Sequence, residues 1–135
     1  MENLQKFNSK ENLRGDLIRV MVVDAQEFSE GVSFLACRQL YLLNPPINAG
    51  AYFQQVGRVV RSCGHHPLRP EERNVTINFL LGDPGQGVPS IDETMYLHLG
   101  EEVRKYEEEQ AFFQKIAVDR KIMRRFDQGL SLIHI

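Results

Sequence analysis

The sequence lacks several features that would assign it quickly to a class of protein. Its 135 residues contain no tryptophan and only two cysteines, Cys37 and Cys63, too few for the disulfide framework of a small secreted domain. The polar first ten residues have no signal-peptide apolar segment, and no apolar run approaches the roughly 20 residues of a membrane-spanning helix. We therefore expect a reducing, intracellular compartment and no membrane partner.

The sequence also lacks an excess of charge and the usual phosphate-binding loop. Sixteen Lys and Arg against eighteen Asp and Glu give a net charge of −2, so overall basicity does not indicate nucleic-acid binding. None of the lysines follows a glycine, which excludes the pattern G-x-x-x-x-G-K-[ST]. If the protein acts on a nucleoside triphosphate, the phosphate cradle must lie on another stretch of polypeptide.

The apolar runs that are present predict an α/β fold in a chain of one-domain length. Residues 17–23, 39–43 and 74–81 are short and rich in apolar residues, which indicates strands, the first two buried on both faces. A helical turn is expected within 32–36, and a helix from Asn48 to about Arg61. Ser90 and Glu93 form a capping-box pattern before a long helix or helix pair over 92–127. This alternation predicts an open parallel sheet.

The helix that follows Asn48 carries a polar stripe. At about 100° per residue, positions i, i+4 and i+7 share one face. The stripe comprises Gln54, Arg58 and Arg61, and the opposite apolar side comprises Tyr52, Val56, Val59 and Val60. Two guanidinium groups and an amide suit a polyphosphate, because the planar guanidinium is permanently charged and donates in a fork. Gly57 flanks the stripe and removes a side chain where another surface could approach.

These residues spell Q-x-x-G-R-x-x-R, which resembles motif VI of superfamily 2 helicases. The resemblance implies that Arg61 is an arginine finger on the γ-phosphate and that Arg58 shares the catalytic role. It implies an ATP-binding set comprising Gln54, Gly57, Arg58, Arg61 and, from the segment described next, Gly31.

Residues 20–34, a strand followed by a loop with the pattern S-E-G-x-S, are similar to motif V of the same helicases. That motif touches the nucleic-acid backbone and communicates with the nucleotide. By this resemblance the nucleic-acid contacts are Ser29, Gly31 and Ser33, where short side chains leave backbone N–H groups accessible.

Three further stretches, 7–12, 61–75 and 90–93, narrow the resemblance to the C-terminal lobe of poxvirus-type nucleoside triphosphatases and early-transcription-factor helicases of large DNA viruses. Gly64 departs from the small hydroxylic residue expected there. The resemblance implies a RecA-like three-layer fold with an open, mostly parallel sheet and C-terminal helices. Residues 1–91 would then belong to the helicase C-terminal domain, and 92–129 to its closing helical segment. Residues 130–135 read as a translated sequencing adapter.

The resemblance implies a fragment of an ATP-dependent helicase or translocase. Its cofactor would be ATP with Mg²⁺, whose ligands lie on a missing N-terminal lobe, and its partners would be DNA or RNA, that lobe and the transcription machinery. Without motifs I and II the chain alone would be inactive. A non-catalytic RecA-like module that binds nucleic acid or protein remains an alternative, as does a translocase that moves on duplex without unwinding it.

No metal site is expected. Cys63, His65 and His66 lack a fourth ligand at tetrahedral-site spacing. A magnesium-binding carboxylate of a helicase would follow an apolar strand. The acidic pair at Asp92 and Glu93 does not, and it is better interpreted as the start of a helix.

Overall fold

The computed structural model describes residues 2–25, 31–85 and 87–116. Short 3₁₀ turns occupy Lys10–Asn12 and Pro70–Glu72. The elements in chain order are helix α1 (Glu2–Phe7), strand β1 (Gln39–Leu42), helix α2 (Ala49–Val59), strand β2 (Thr76–Phe79) and helix α3 (Ile91–Ile116).

The two strands form a parallel pair in which Gln39 lies opposite Thr76 and Leu42 opposite Phe79. Parallel strands need a crossover connection, and the connection here contains α2. The α/β class predicted from the sequence is therefore confirmed. The core joins one strand to two helices and comprises Leu42, Tyr52, Val56, Leu99 and Val103.

Helix α2 begins where the sequence predicts, because two acceptors satisfy its first free N–H groups. The Asn48 side-chain oxygen accepts from the Ala51 N–H at 2.8 Å, the usual N-cap bond. The Glu102 carboxylate of α3 accepts from the Ala49 N–H at 2.8 Å and places a negative charge at the positive end of the α2 dipole. One side chain of α3 thus fixes both the start of α2 and the contact between the two helices.

Helix α3 is one continuous helix over its described length rather than a pair. The Ser90 hydroxyl accepts from the Glu93 N–H at 2.9 Å, which confirms the serine half of the predicted cap. Residues 117–127 of the predicted helix, and the tail 130–135, lie outside the described residues. Across the described ranges, no helix is both long and apolar enough to cross a membrane.

The strand predicted over 17–23 is wrong. The segment has no strand assignment, and Val20 and Val22 are 77% and 81% exposed. A strand requires a hydrogen-bonded neighbour, and β1 pairs with β2 in the sheet of the described residues. The composition of an apolar run can indicate a strand, but it does not show whether another strand is available to pair with it.

Other boundaries shift by smaller amounts. The strands cover four residues each, and β1 is not buried on both faces, because only Leu42 of its residues is buried. The helical turn expected within 32–36 is a tight turn in which Ala36 adopts a positive φ of 54°. Val60, placed on the apolar side of α2, is 39% exposed, whereas Val59 is 2% exposed, because the helix ends between them.

Candidate functional site

The polar face of α2 is more accessible to solvent than the opposite face. Gln54 and Gly57 are exposed and Arg58 is partly buried, whereas Tyr52 and Val56 on the opposite side are 2% and 3% exposed. The helix therefore has one buried and one accessible face, as the sequence pattern predicts.

The sequence pattern predicted that Arg61 belongs to the helical stripe with Gln54 and Arg58. The structure shows that it does not. The helix ends at Val59, and the C-cap residue Val60 has φ −92° and ψ 58°, outside the helical region. The position of Arg61 is therefore set by its contacts rather than by a spacing of 3.6 residues per turn.

The contact that holds Arg61 comes from the segment resembling motif V. The Arg61 Nη1 donates a hydrogen bond to the Ser33 hydroxyl. Arg61 is exposed and Ser33 is partly buried, so the guanidinium is tethered at one nitrogen and remains accessible at its surface. The structure thus joins a residue predicted for nucleic-acid contact to the residue predicted as the arginine finger.

Backbone hydrogen bonds extend this junction to the last turn of α2 and to the segment that follows it. The Phe34 N–H donates to the Arg58 carbonyl at 2.9 Å, and the Ala36 N–H donates to the Gly64 carbonyl at 3.0 Å. The first bond satisfies a carbonyl in the last turn of α2, which has no partner inside the helix. The two predicted motifs are therefore neighbours with shared hydrogen bonds and not only neighbours in sequence.

Two glycines lie where the predicted motifs meet, and each has a different structural reason to be glycine. Gly31 has φ +73°, a conformation that glycine adopts without the strain of a side chain. A Cβ at Gly64 would lie 3.1 Å from the Arg61 carbonyl oxygen, so the hydroxylic residue expected here would require this backbone to shift by a few tenths of an ångström. Ser29, the remaining predicted nucleic-acid contact, lies outside the described residues.

Sequence reasoning missed Asn8. Its side chain donates to the Ser33 carbonyl and accepts from the Leu35 N–H, both at 2.8 Å, while the Phe7 and Phe34 rings meet edge to face at 6.1 Å. The stretch 7–12 carried a family resemblance but no role. An asparagine that ends a helix has two polar atoms free for the backbone of another segment, and nothing in the sequence identifies that segment.

The histidine and cysteine residues after α2 do not assemble a metal site. The His65 Nε2 lies 2.6 Å from the Cys37 carbonyl oxygen, so this ring nitrogen is occupied by a hydrogen bond within the chain. Burial raises the pKa of the Cys37 thiol, opposed by a hydrogen bond with the Gln39 backbone. Within the described part of the chain, no three His, Cys, Asp or Glu side chains are grouped to hold a metal ion.

The predicted phosphate-binding residues line an accessible surface rather than a cavity. A cavity of about 580 Å³ lies at β2, bordered by Tyr41, Tyr52 and Tyr96, and it includes none of the α2 stripe residues. Arg58 and Arg61 therefore lie outside this cavity.

Comparison with known proteins agrees with the expected relationship at a coarse level. The chain is similar to early transcription factor large subunit homologs of African swine fever virus, from tick isolates of Malawi and South Africa. It is 27% identical to each over an alignment of 128 positions, which covers 90% of this chain but only 12% and 11% of those proteins. No protein-family model and no solved structure matches the chain.

Proposed function

We propose that this chain is the C-terminal lobe of an ATP-dependent nucleic-acid helicase or translocase. The observation that carries the proposal is the hydrogen bond from Arg61 to Ser33, which joins the arginine predicted for motif VI to the segment predicted for motif V. Similarity over 90% of the chain to a viral early transcription factor subunit supports the same assignment.

Arg61 acts in this proposal as the arginine finger. Phosphoryl transfer places charge on the oxygens of the transferred phosphoryl group, and an arginine at that position accelerates transfer by roughly 10³–10⁵-fold. Its guanidinium is held at Nη1 by an uncharged hydroxyl, so its charge is not neutralised before a phosphate arrives. Arg58 and Gln54 lie on α2 itself, and in this proposal they contact the phosphates or the opposite lobe.

The rest of the nucleotide site belongs to another lobe. Mg²⁺ held by carboxylates of that lobe would neutralise charge on the β- and γ-phosphate oxygens. This chain's residues then cover the phosphates from the second side, which explains why the stripe lies on an open surface. We expect the chain by itself to bind nucleotide weakly and to hydrolyse none.

The shared hydrogen bonds give a route from hydrolysis to movement. The Phe34 and Ala36 N–H groups are bound to the Arg58 carbonyl in α2 and to the Gly64 carbonyl in the segment after it, so a displacement of Arg61 would be passed to the motif V grip on the phosphate backbone. Closing of the lobes on ATP and reopening after hydrolysis would move that grip along a strand. DNA or RNA, and the transcription machinery suggested by the name of the viral relatives, are the proposed partners.

The test uses the longer polypeptide in which a lobe with the phosphate loop and magnesium carboxylates precedes this chain. Arg61→Ala should lower nucleic-acid-stimulated ATP hydrolysis by roughly 10³-fold or more while nucleic-acid binding persists. The matched control is Arg104→Ala, which removes an exposed arginine paired with Glu108 on α3 and should leave the rate unchanged.

An unchanged rate in Arg61→Ala would refute the arginine-finger assignment and favour the non-catalytic binding module. A strand-displacement assay on the wild-type protein separates unwinding from translocation along intact duplex.

A further inference from the structure

The stretch before the motif V segment is built to hold it. The Asn8 amide binds the Ser33 carbonyl with its nitrogen and the Leu35 N–H with its oxygen, each at 2.8 Å. These two backbone groups flank Phe34, whose own N–H is bound to Arg58. The Asn8 side chain therefore satisfies two backbone groups that a neighbouring strand would otherwise have to bind.

Asn8 is itself held in place by a compact turn. Asn12 is 5% exposed; its Nδ2 donates to the Phe7 carbonyl at 2.9 Å, and its Oδ1 accepts from the Leu17 and Ile18 N–H groups at 2.9 and 2.8 Å. A buried amide with donor and acceptor both satisfied fixes the surrounding backbone. We call residues 7–18 the amino-terminal clamp.

Ser33 receives contacts from both directions. Its carbonyl accepts from Asn8, and its hydroxyl accepts from Arg61. Because Cα links these two groups within one residue, holding the carbonyl restricts the backbone torsions that aim the hydroxyl. The chain of contacts from Asn8 through Ser33 to Arg61 is continuous.

We propose that Asn8 is a positioning residue for Arg61, acting through the Ser33 backbone and hydroxyl. This inference rests on the proposed function for its use in ATP hydrolysis, but the link between Asn8 and Arg61 is testable without it. The clamp holds the guanidinium ready for an anion, and Asn8 itself touches no substrate.

Asparagine is the residue type that this position requires. The bound carbonyl needs a donor and the bound N–H needs an acceptor, and one side-chain amide supplies both. Asn8→Asp keeps the acceptor for Leu35 and loses the donor for Ser33, whereas Asn8→Ala loses both. The matched control is Gln5→Ala, which removes an exposed amide from α1.

The experiment records NMR signals of the Arg61 guanidinium N–H groups in the 135-residue chain, assigned by their loss in Arg61→Ala. Ser33→Ala should shift these signals and speed their hydrogen exchange, and Asn8→Ala should do the same. The double variant Asn8→Ala/Ser33→Ala should show no further change, because both single changes break one chain of contacts. Gln5→Ala should match the wild type.

The second measurement titrates each chain with inorganic triphosphate. Asn8→Ala and Ser33→Ala should each bind roughly threefold to tenfold more weakly than the wild type and Gln5→Ala, again without additivity. Asn8→Asp should bind at least as weakly as Asn8→Ala, because its carboxylate faces the Ser33 carbonyl without a donor and adds negative charge. If Asn8→Ala does not fold, the comparison of Asn8→Asp with Ser33→Ala carries the test.

The outcomes separate the two proposals. A folded Asn8 variant with wild-type Arg61 signals, or additive effects of Asn8 and Ser33, overturns the positioning role. An unchanged rate of ATP hydrolysis in Arg61→Ala of the longer polypeptide counts against the proposed function, while the response of the Arg61 signals to Asn8 substitution still decides the link.

Discussion

Gly57 offers a test in which stability and activity should move in opposite directions. It lies inside α2 on the exposed face, and a Cβ added there meets no atom within 4 Å. Gly100 of α3 is also exposed, and a Cβ added there likewise meets no atom within 4 Å. Replacing either glycine by alanine therefore introduces no clash within the chain, and the two substitutions form a matched pair.

The magnitude follows from helix propensity. Alanine is favoured over glycine inside a helix by about 0.5–1 kcal/mol, largely because the unfolded chain loses conformational freedom. Gly57 lies near the end of α2, so Gly57→Ala should raise the free energy of unfolding by about 0.5 kcal/mol. Gly100 lies well inside α3, so Gly100→Ala should raise it by about 1 kcal/mol, or about twice as much. For a chain of this size, about 0.5 kcal/mol raises the melting temperature by roughly 1–3 °C.

Activity should separate the two glycines. If nucleotide or the opposite lobe approaches the α2 stripe closely, the new methyl at position 57 holds it away, and misplacement by about 1 Å can cost on the order of 100-fold in rate. In the longer polypeptide, Gly57→Ala should lower nucleic-acid-stimulated ATP hydrolysis roughly tenfold to 100-fold. Gly100→Ala should leave hydrolysis unchanged.

Two assays on the same variants decide the matter: thermal unfolding of this chain and ATP hydrolysis by the longer polypeptide. Full activity in Gly57→Ala would refute the idea that a surface approaches α2 at this point. A lower melting temperature in Gly57→Ala would instead contradict the open helical environment of the residue.

Two further predictions concern contacts that join distant parts of the chain. Glu102→Gln keeps an acceptor for the Ala49 N–H but removes the charge at the start of α2, so urea unfolding should show a loss of about 0.3–1 kcal/mol that shrinks in high salt. Glu72 has a pKa below its ordinary 4.5, because burial, which raises it, is outweighed by the hydrogen bonds and charge of Arg14. A lowered folded-state pKa stabilises above the unfolded value and is lost as pH falls through the folded value. The stability difference between wild type and Arg14→Met should therefore be constant near neutral pH and decline below about pH 4.5; a difference that grew with acidity would contradict this ion pair.

Periodicity served well where a helix has one buried face. Tyr52, Val56 and Val59 are buried as their spacing predicts, and Asn48 caps the helix in which they lie. Local chemistry determines such features, because a cap or an apolar stripe involves residues a few positions apart.

Periodicity failed where the partner is remote. Residues 17–23 have strand composition but no strand pairing, and Arg61 lies past the end of the helix that was expected to carry it. A strand needs a neighbour from elsewhere in the chain, and a helix end depends on which groups satisfy its last carbonyls. For α2 one of those groups is the Phe34 N–H, which no local pattern identifies.

The sequence by itself determined the α/β class, the buried and open faces of α2, and a family resemblance carried by Gln54, Gly57, Arg58 and Arg61. Only the tertiary structure decided that Arg61 is held by Ser33, and that Asn8 holds Ser33 in turn. These contacts span 28 and 25 positions, and side chains so far apart in sequence meet only after the backbone has folded. The net charge of the whole chain is only −2. This value is compatible with the arrangement, because one positioned guanidinium supplies positive charge locally.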